Sequence, residues 1–354
     1  MSKKSIVILI AILFISVFAI YGIVKGLTVG QMTYIEIDKS DDNLGITKSD
    51  KLLEAIEREK AFKENQVQQT SDTTEVDKEV EITEPELFQI LLLGLDSRSK
   101  NDKGSRSDAI MLVTIDFKKK EIRLGSFVRD LQVEINGRKD KITHAYAYGG
   151  GEETLRTINQ NFDLEVRDFA VVNMFNLREI IDIIGGLDIE ITKAEMQEIN
   201  YRVKEIADVE RRTDYKFLTE SGFQHLNGEQ VVAYGRIRNT AGGDFARTDR
   251  QREVITLIIE KMRGKNFLEL LGISNKLFPL VGTTLTTNEI ETVLLKAISN
   301  GIDYKILSTR FPSDELVKSD MSTGVYYLKI TDMESCIKEI HDFIYGSTNE
   351  SDND

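Results

Sequence analysis

Between residues 89 and 130 three apolar runs follow one another with only short polar joins, and that stretch limits the possible folds more than any other. Residues 90–93 are ILLL and end at Gly94; residues 109–115 form a second run; residues 122–128 form a third. Short apolar runs bounded by turn residues read as buried strands. Apart from Arg123 in the third, the charges stand around these runs rather than within them. Asp96 and Arg98 follow the first run, Arg106 and Asp108 precede the second, and Arg129 and Asp130 follow the third. Charged pairs at strand ends are where an α/β sheet assembles a ligand site.

The front of the chain has a different character. Lys3 and Lys4 precede an apolar stretch, residues 6–24, and Lys25 follows it. At ~1.5 Å per residue such a stretch covers roughly 28 Å as a helix, close to the hydrocarbon thickness of a bilayer. No small-residue cleavage site follows, so the expectation is one uncleaved transmembrane signal anchor within residues 1–30. The lysines in front favour a cytoplasmic N-terminus in a single-pass cell-membrane protein, with the bulk of the chain extracytoplasmic. Residues 31–86 are polar and acidic and are expected to form a stalk, with a weakly amphipathic helix over 49–65 and a linker over 66–86.

A globular domain is expected over 87–346, followed by a disordered tail over 347–354. Helical spacing appears at Leu155, Ile158 and Phe162, and again at Leu177, Ile180, Ile181 and Ile184, where Asn173 can cap the start. Strands are expected over 169–172 and 187–191, a charged helix over 193–212, and a long helix over 247–263. Two late strands, 304–311 and 325–330, precede a final helix over 332–345. Strand–helix–strand units of this kind predict an α/β domain with a mixed sheet.

Composition removes several functions. A net charge of −13 leaves no basic footprint for nucleic acid. Three histidines and one cysteine give no basis for a zinc site. Cys336 lies between Met333 and Ile337 on the apolar face of the last helix, which predicts a buried thiol. The Ser97 context is not a nucleophile elbow, and only His144 and His225 could serve as its base, so a serine hydrolase is not expected.

Against this acidic background arginines gather twice. The first group is Arg98, Arg106 and Arg129; the second is Arg236, Arg238, Arg247, Arg250 and Arg252. Arg236 and Arg238 are two apart, and Arg247 and Gln251 share a helical face near a helix start. Converging guanidinium groups there suit a phosphate or diphosphate. Asp96 and Asp108 would come together if their strands are neighbours and could then share a hard cation such as Mg²⁺. Equally, each could pair with Arg98, Arg106 or Arg129, and spacing does not choose between these.

The ordered motifs LLLGLDSR (91–98), RSDAIMLVTID (106–116), SFVRD (126–130), DKITHAYAYGG (140–150), IIGGLDIEI (183–191), LNGEQVVAYGRIR (226–238) and DFARTDRQR (244–252) resemble the LytR–CpsA–Psr family of membrane-anchored bacterial cell-wall proteins. One departure is Val128, where the family has proline before the Arg-Asp pair. The resemblance implies a single large α-β-α domain outside the cytoplasm. It implies a phosphotransferase moving a teichoic-acid- or capsule-like glycopolymer from a polyprenyl diphosphate carrier to a peptidoglycan hydroxyl. Asp96 and Asp108 would hold Mg²⁺. Arg98, Arg129, Arg236, Arg238, Arg247 and Gln251 would line the diphosphate site, Arg106 being counted with them. Asp96, Arg129, Arg236 and Arg238 would act on the reacting phosphate, and Asp130 would be a structural partner. Two other readings stay open: an anchored lipid-binding regulator without turnover, and a diphosphatase using water as acceptor.

Overall fold

The computed structural model describes residues 33–47, 87–97, 104–263, 281–299 and 304–346, with positions 265, 269, 273 and 276–280. The expected membrane span, the 49–65 helix, the 66–86 linker and the tail lie outside the described residues. Among the described residues no helix is long and apolar enough to cross a membrane.

A seven-stranded mixed sheet organises the domain. Its strands are β1 (Thr33–Tyr34), β2 (Leu87–Leu95), β3 (Ser107–Asp116), β4 (Glu121–Phe127), β7 (Phe169–Asn173), β10 (Gly282–Thr283) and β11 (Lys305–Phe311). They lie in the order β1-β10-β7-β2-β3-β4-β11. β2, β3 and β4 form an antiparallel meander, while β7 and β11 flank it in parallel with β2 and β4.

Both faces of this sheet are covered, which is why the middles of β2 and β3 are apolar at successive positions. Side chains alternate between faces along a strand. Ile90 and Leu92 therefore join Met111, Val113 and Ile115 in one core, while Leu91 and Leu93 join Ile110 and Leu112 in the other. The first core is closed by α3 (Met174–Ile183), α4 (Lys193–Glu210), α5 (Gly228–Tyr234), α6 (Gly243–Arg263) and α7 (Thr287–Ser299). The second is closed by α2 (Ala145–Phe162) and α8 (Met333–Tyr345). The result is the three-layer α-β-α arrangement around a mixed sheet.

Several elements differ from expectation. α2 begins at Ala145, well ahead of the helical spacing that starts at Leu155, with a break at Gly149 (φ −153°) and Gly150 (φ 69°). A side chain at the next residue, Gly151, would collide with the Phe169 ring. Strand β8 (Leu187–Ile191) pairs only with β9 (Gly222–Leu226), outside the main sheet. Its residues alternate buried and exposed, the pattern of a strand covered on one face. The late strand shortens to β13 (Tyr327–Ile330), paired with β12 (Val317–Asp320), and a further hairpin joins β5 (Gln132–Ile135) to β6 (Arg138–Lys141).

The largest correction concerns residues 33–47, expected in the stalk and found packed on the domain. β1 pairs with β10 at the sheet edge, and the one-turn helix α1 (Asp41–Leu44) sits against α2. Leu44 is fully buried in the second core. Asn159 Nδ2 donates to Leu44 O at 2.9 Å, and Arg156 Nε donates to Asn43 O at 2.6 Å. The segment's polar composition concealed this, because Ile35, Ile37, Leu44 and Ile46 are set among polar residues and are helped by edge-strand pairing, ion pairs and side-chain hydrogen bonds rather than by a helical apolar stripe. Leu44→Ala should therefore lower unfolding free energy by about 2–5 kcal/mol, read from urea denaturation. A change below ~0.5 kcal/mol would return the segment to the stalk.

Cys336 is buried, as expected. Burial pushes its thiol up to about 12, with Glu339 and Asp332 adding to the shift. The folded protein should ignore a thiol-reactive disulfide at pH 8 and react once guanidinium unfolds it. Because the folded thiol holds its proton more tightly than an unfolded one (~8.5), this group's contribution is intact below pH 8.5 and is lost as pH rises above it. Rapid labelling of the native protein would contradict the burial.

Candidate active site

Antiparallel pairing sets the end of β2, the start of β3 and the end of β4 on one sheet edge. Asp96 follows β2, Asp108 is the second residue of β3, and Arg129 lies two residues beyond β4. The β2–β3 register shifts between Gly94 and Leu95, and the Asp96 N–H donates to Arg106 O at 3.2 Å. From the helical layer, the turn after α5 supplies Arg236 and Arg238, and the second turn of α6 supplies Arg247. α5 is fixed at its start by a capping box between Asn227 and Gln230.

Asp108 is the hub. Its Oδ2 lies 2.5 Å from Arg129 Nη1, 2.9 Å from Arg238 Nη2 and 3.8 Å from Arg247 Nη1. Arg236 Nη2 is 3.2 Å from Asp96 Oδ1, an ion pair not aligned as a hydrogen bond. Arg236 and Arg238, two apart in the sequence, both enter one site, but each meets a different carboxylate. Gln251 Nε2 donates to Gly235 O at 3.3 Å and so holds the Arg236 turn onto α6.

Arg247 is the most confined of the four arginines, with a side chain 1% exposed. Asp244 Oδ1 is 2.9 Å from its Nη2, yet Nε, Nη1 and Nη2 all lack an aligned hydrogen-bond partner. Burial lowers its guanidinium to about 10, with Asp244 and Asp108 opposing and Arg238 and Arg129 reinforcing the shift. It remains a cation at neutral pH. Burial likewise presses on Arg129, but Asp108, Asp130 and Asp244 outweigh it and hold that guanidinium above its usual range. Asp244 is raised by burial and by its hydrogen bond to Asp130. Asp130 is lowered despite burial, chiefly by Lys141, whose Nζ is 2.6 Å from Oδ1, and by Arg129.

Beside this cluster a cavity of about 250 Å³ runs between the sheet and helices α3, α5 and α6. Asp96, Asp108, Arg236, Arg238, Arg247 and Gln251 line its polar end. Its remaining wall is largely apolar and includes Leu92, Ala170, Leu177, Val232, Val254 and Ile258. The sequence did not separate these from core residues, since a strand position facing a cavity and one facing a neighbour carry the same side chains. Arg202 and Glu205, also in the lining, were missed as well. They are three apart on α4 with Nη1 and Oε2 3.0 Å apart, the pattern of a solvated helix face.

Not every expected residue converges. Arg106 is exposed and does not line the cavity. Arg98 lies outside the described residues. Arg250 turns away to Glu195 (2.9 Å) and Thr240 (2.6 Å), and Arg252 to Asp249 (2.7 Å).

The sequence matches the LytR_cpsA_psr family over residues 47–340. The chain belongs to that family. Among family members it is 34% identical over 268 residues to the Bacillus subtilis (strain 168) protein named polyisoprenyl-teichoic acid–peptidoglycan teichoic acid transferase TagU. That match covers 75% of this chain and 79% of TagU. It is 28% identical over 268 residues to the transferase of the same designation, TagV, of the same organism, covering 73% of this chain and 64% of TagV. The chain thus spans less than two thirds of TagV's own length. Its fold matches the structure of TagT bound to LI-WTA with a TM-score of 0.58 at 25% identity, over 78% of this chain and 98% of that one.

Proposed function

We propose that this LytR–CpsA–Psr protein transfers a teichoic-acid-like glycopolymer from a polyprenyl diphosphate carrier to a peptidoglycan hydroxyl. The observation that carries the reading is the continuity of three guanidinium groups, Arg236, Arg238 and Arg247, with an apolar cavity, while Arg129 joins them through Asp108. One ligand that needs both is a diphosphate carrying a long hydrocarbon tail. The names of the TagU and TagV relatives agree with it.

In this reading the tail lies against Leu92, Val232 and Ile258, and the diphosphate meets Arg129, Arg236, Arg238 and Arg247. The acceptor oxygen bonds to the glycan-bearing phosphorus as the bond to polyprenyl phosphate breaks, and the hydroxyl proton is released. The arginines stabilise charge on the transferring phosphoryl oxygens and the leaving phosphate, and Gln251 keeps the Arg236 turn in position.

Asp96 and Asp108 fit a divalent cation, because each keeps one buried oxygen, Oδ1, without a hydrogen bond at the polar end of the cavity. Four arginines there face Asp96, Asp108, Asp130 and Asp244, so a diphosphate's charge calls for a further cation. Mg²⁺ held by Asp96 and Asp108 would supply that charge when bound. We further propose that residues 6–24 anchor the chain in the cell membrane with the domain outside, beside its lipid substrate.

Full-length protein in detergent, given polyprenyl-diphosphate glycan and purified peptidoglycan with and without Mg²⁺, tests the proposal. Linkage of glycan to peptidoglycan is expected, strongest with Mg²⁺. Release of free phosphorylated glycan would identify a diphosphatase, and lipid binding without turnover a regulator. Asp108→Asn should keep the fold while losing most of the Mg²⁺-dependent rise in melting temperature. Equal stabilisation in both proteins would confine Asp108 to pairing with arginines.

A further inference from the structure

The motif at residues 140–150 takes no part in the diphosphate site, yet it builds a second polar hub beside it. Asp140 Oδ2 accepts from His144 Nδ1 at 2.9 Å and from the Tyr148 hydroxyl. The Tyr327 hydroxyl lies 3.5 Å from Asp140 Oδ1. Three segments thus meet on one carboxylate: the end of β6, the first turn of α2 and the start of β13. Tyr148 is 59% exposed and Tyr326 38% exposed. Lys141 Nζ sits 5.8 Å from the ring centroids of both Tyr326 and Tyr327, which holds the two rings together.

We infer that Tyr148, Tyr326 and Tyr327, grouped around the Asp140–His144 pair, form the subsite for the sugar rings of the glycan acceptor. The inference rests on the transferase reading for its acceptor and on this surface for its location. A pyranose ring offers a face of C–H bonds and an edge of hydroxyls. Exposed tyrosine rings suit the first, and a carboxylate with an imidazole suits the second through charge-assisted hydrogen bonds. A wholly apolar partner would desolvate the Asp140 carboxylate and supply no hydrogen bond in return.

The location is what an acceptor requires. Lys141 Nζ is 2.6 Å from Asp130 Oδ1, and Arg129, the next residue, is 2.5 Å from Asp108. Thr143 Oγ1 donates to Ser107 O at 2.8 Å, one residue from Asp108. The backbone N–H of Leu328 donates to Asp130 O at 2.9 Å, so the β12–β13 hairpin is fastened to the same strand end. A sugar held on these tyrosines is therefore linked through Lys141 and then Asp130 to Arg129.

The test uses full-length protein in detergent, sacculi stripped of secondary polymers, and N-acetylglucosamine tetramer as a soluble probe. Tyr148→Ala and Tyr326→Ala should each weaken sacculus binding roughly ten-fold, and the double variant more. Tyr148→Phe keeps the ring and should retain most of the affinity. In the transfer assay the alanine variants should raise KM for acceptor while KM for the lipid substrate stays unchanged. Alanine variants that bind sacculi as tightly as wild type would overturn the inference, as would a wild-type protein that binds neither probe. A protein that holds stripped sacculi through these tyrosines but transfers nothing would retire the transferase reading and leave the subsite standing.

Discussion

Arg247→Met should weaken polyprenyl-diphosphate binding by on the order of 10²–10⁴-fold and leave the melting temperature nearly unchanged. The affinity loss follows from two charge-assisted hydrogen bonds at about 1.5–3 kcal/mol each. The near-constant stability follows from what Arg247 lacks. Its side chain is 1% exposed and its three nitrogens have no aligned partner. Burying such a cation costs solvation that its ion pairs recover only in part. Methionine keeps much of the stem and adds no charge, Asp108 retains Arg129 and Arg238, and Asp244, which loses its 2.9 Å partner, keeps Arg238 at 3.8 Å. A shift within about 4 °C is expected, on the order of 1–2 kcal/mol for a domain of this size. Arg247→Lys should fall between, since it restores charge without the planar fork. A Met variant that melts more than about 10 °C lower would make Arg247 a structural residue.

The second large effect is expected from the apolar end of the cavity. Ala170 lies on β7 opposite Leu92 and lines that wall. Ala170→Phe would fill space that the reading assigns to the prenyl chain. Displacing one isoprenyl unit forfeits about 3–4 kcal/mol at ~0.8 kcal/mol per buried carbon, on the order of several hundred-fold in affinity. The comparison that decides is chain length: long-chain diphosphate should lose most, and a one-isoprenyl diphosphate should bind wild type and variant nearly alike. Equal losses for both would mean that phenylalanine had disturbed the arginines rather than the tail. Equal binding of the long chain to both proteins would move the tail elsewhere.

The polar half of this site was more legible in the sequence than the apolar half. Asp96 and Asp108 bracket a loop between two strong strand patterns, so antiparallel pairing alone brings them near one another. Arg236 and Arg238 stand out in an acidic chain. The α6 arginines were harder, because residues 247, 250 and 252 look alike in composition while the helix turns them to different neighbours. Arg250 and Arg252 serve Glu195 and Asp249, and only Arg247 reaches the cavity. Nothing in residues 90–93 tells that Leu92 borders open space while Ile90 does not. The docking of residues 33–47 was hidden for a related reason: its hold depends on a few apolar residues, Leu44 and Ile46 foremost, and on pairing, ion pairs and hydrogen bonds to distant parts of the chain, which leave no helical pattern.

Asp108 engages Arg129 and Arg238 closely and Arg247 at longer range, from three different parts of the chain. A ligand entering this site competes with a carboxylate already seated there. A singly charged visitor offers these guanidinium groups little that Asp108 does not already give them. A diphosphate brings several oxygens and more than one charge, so it can draw the arginines over. The internal aspartate thereby sets a threshold against singly charged anions before shape or tail length is consulted.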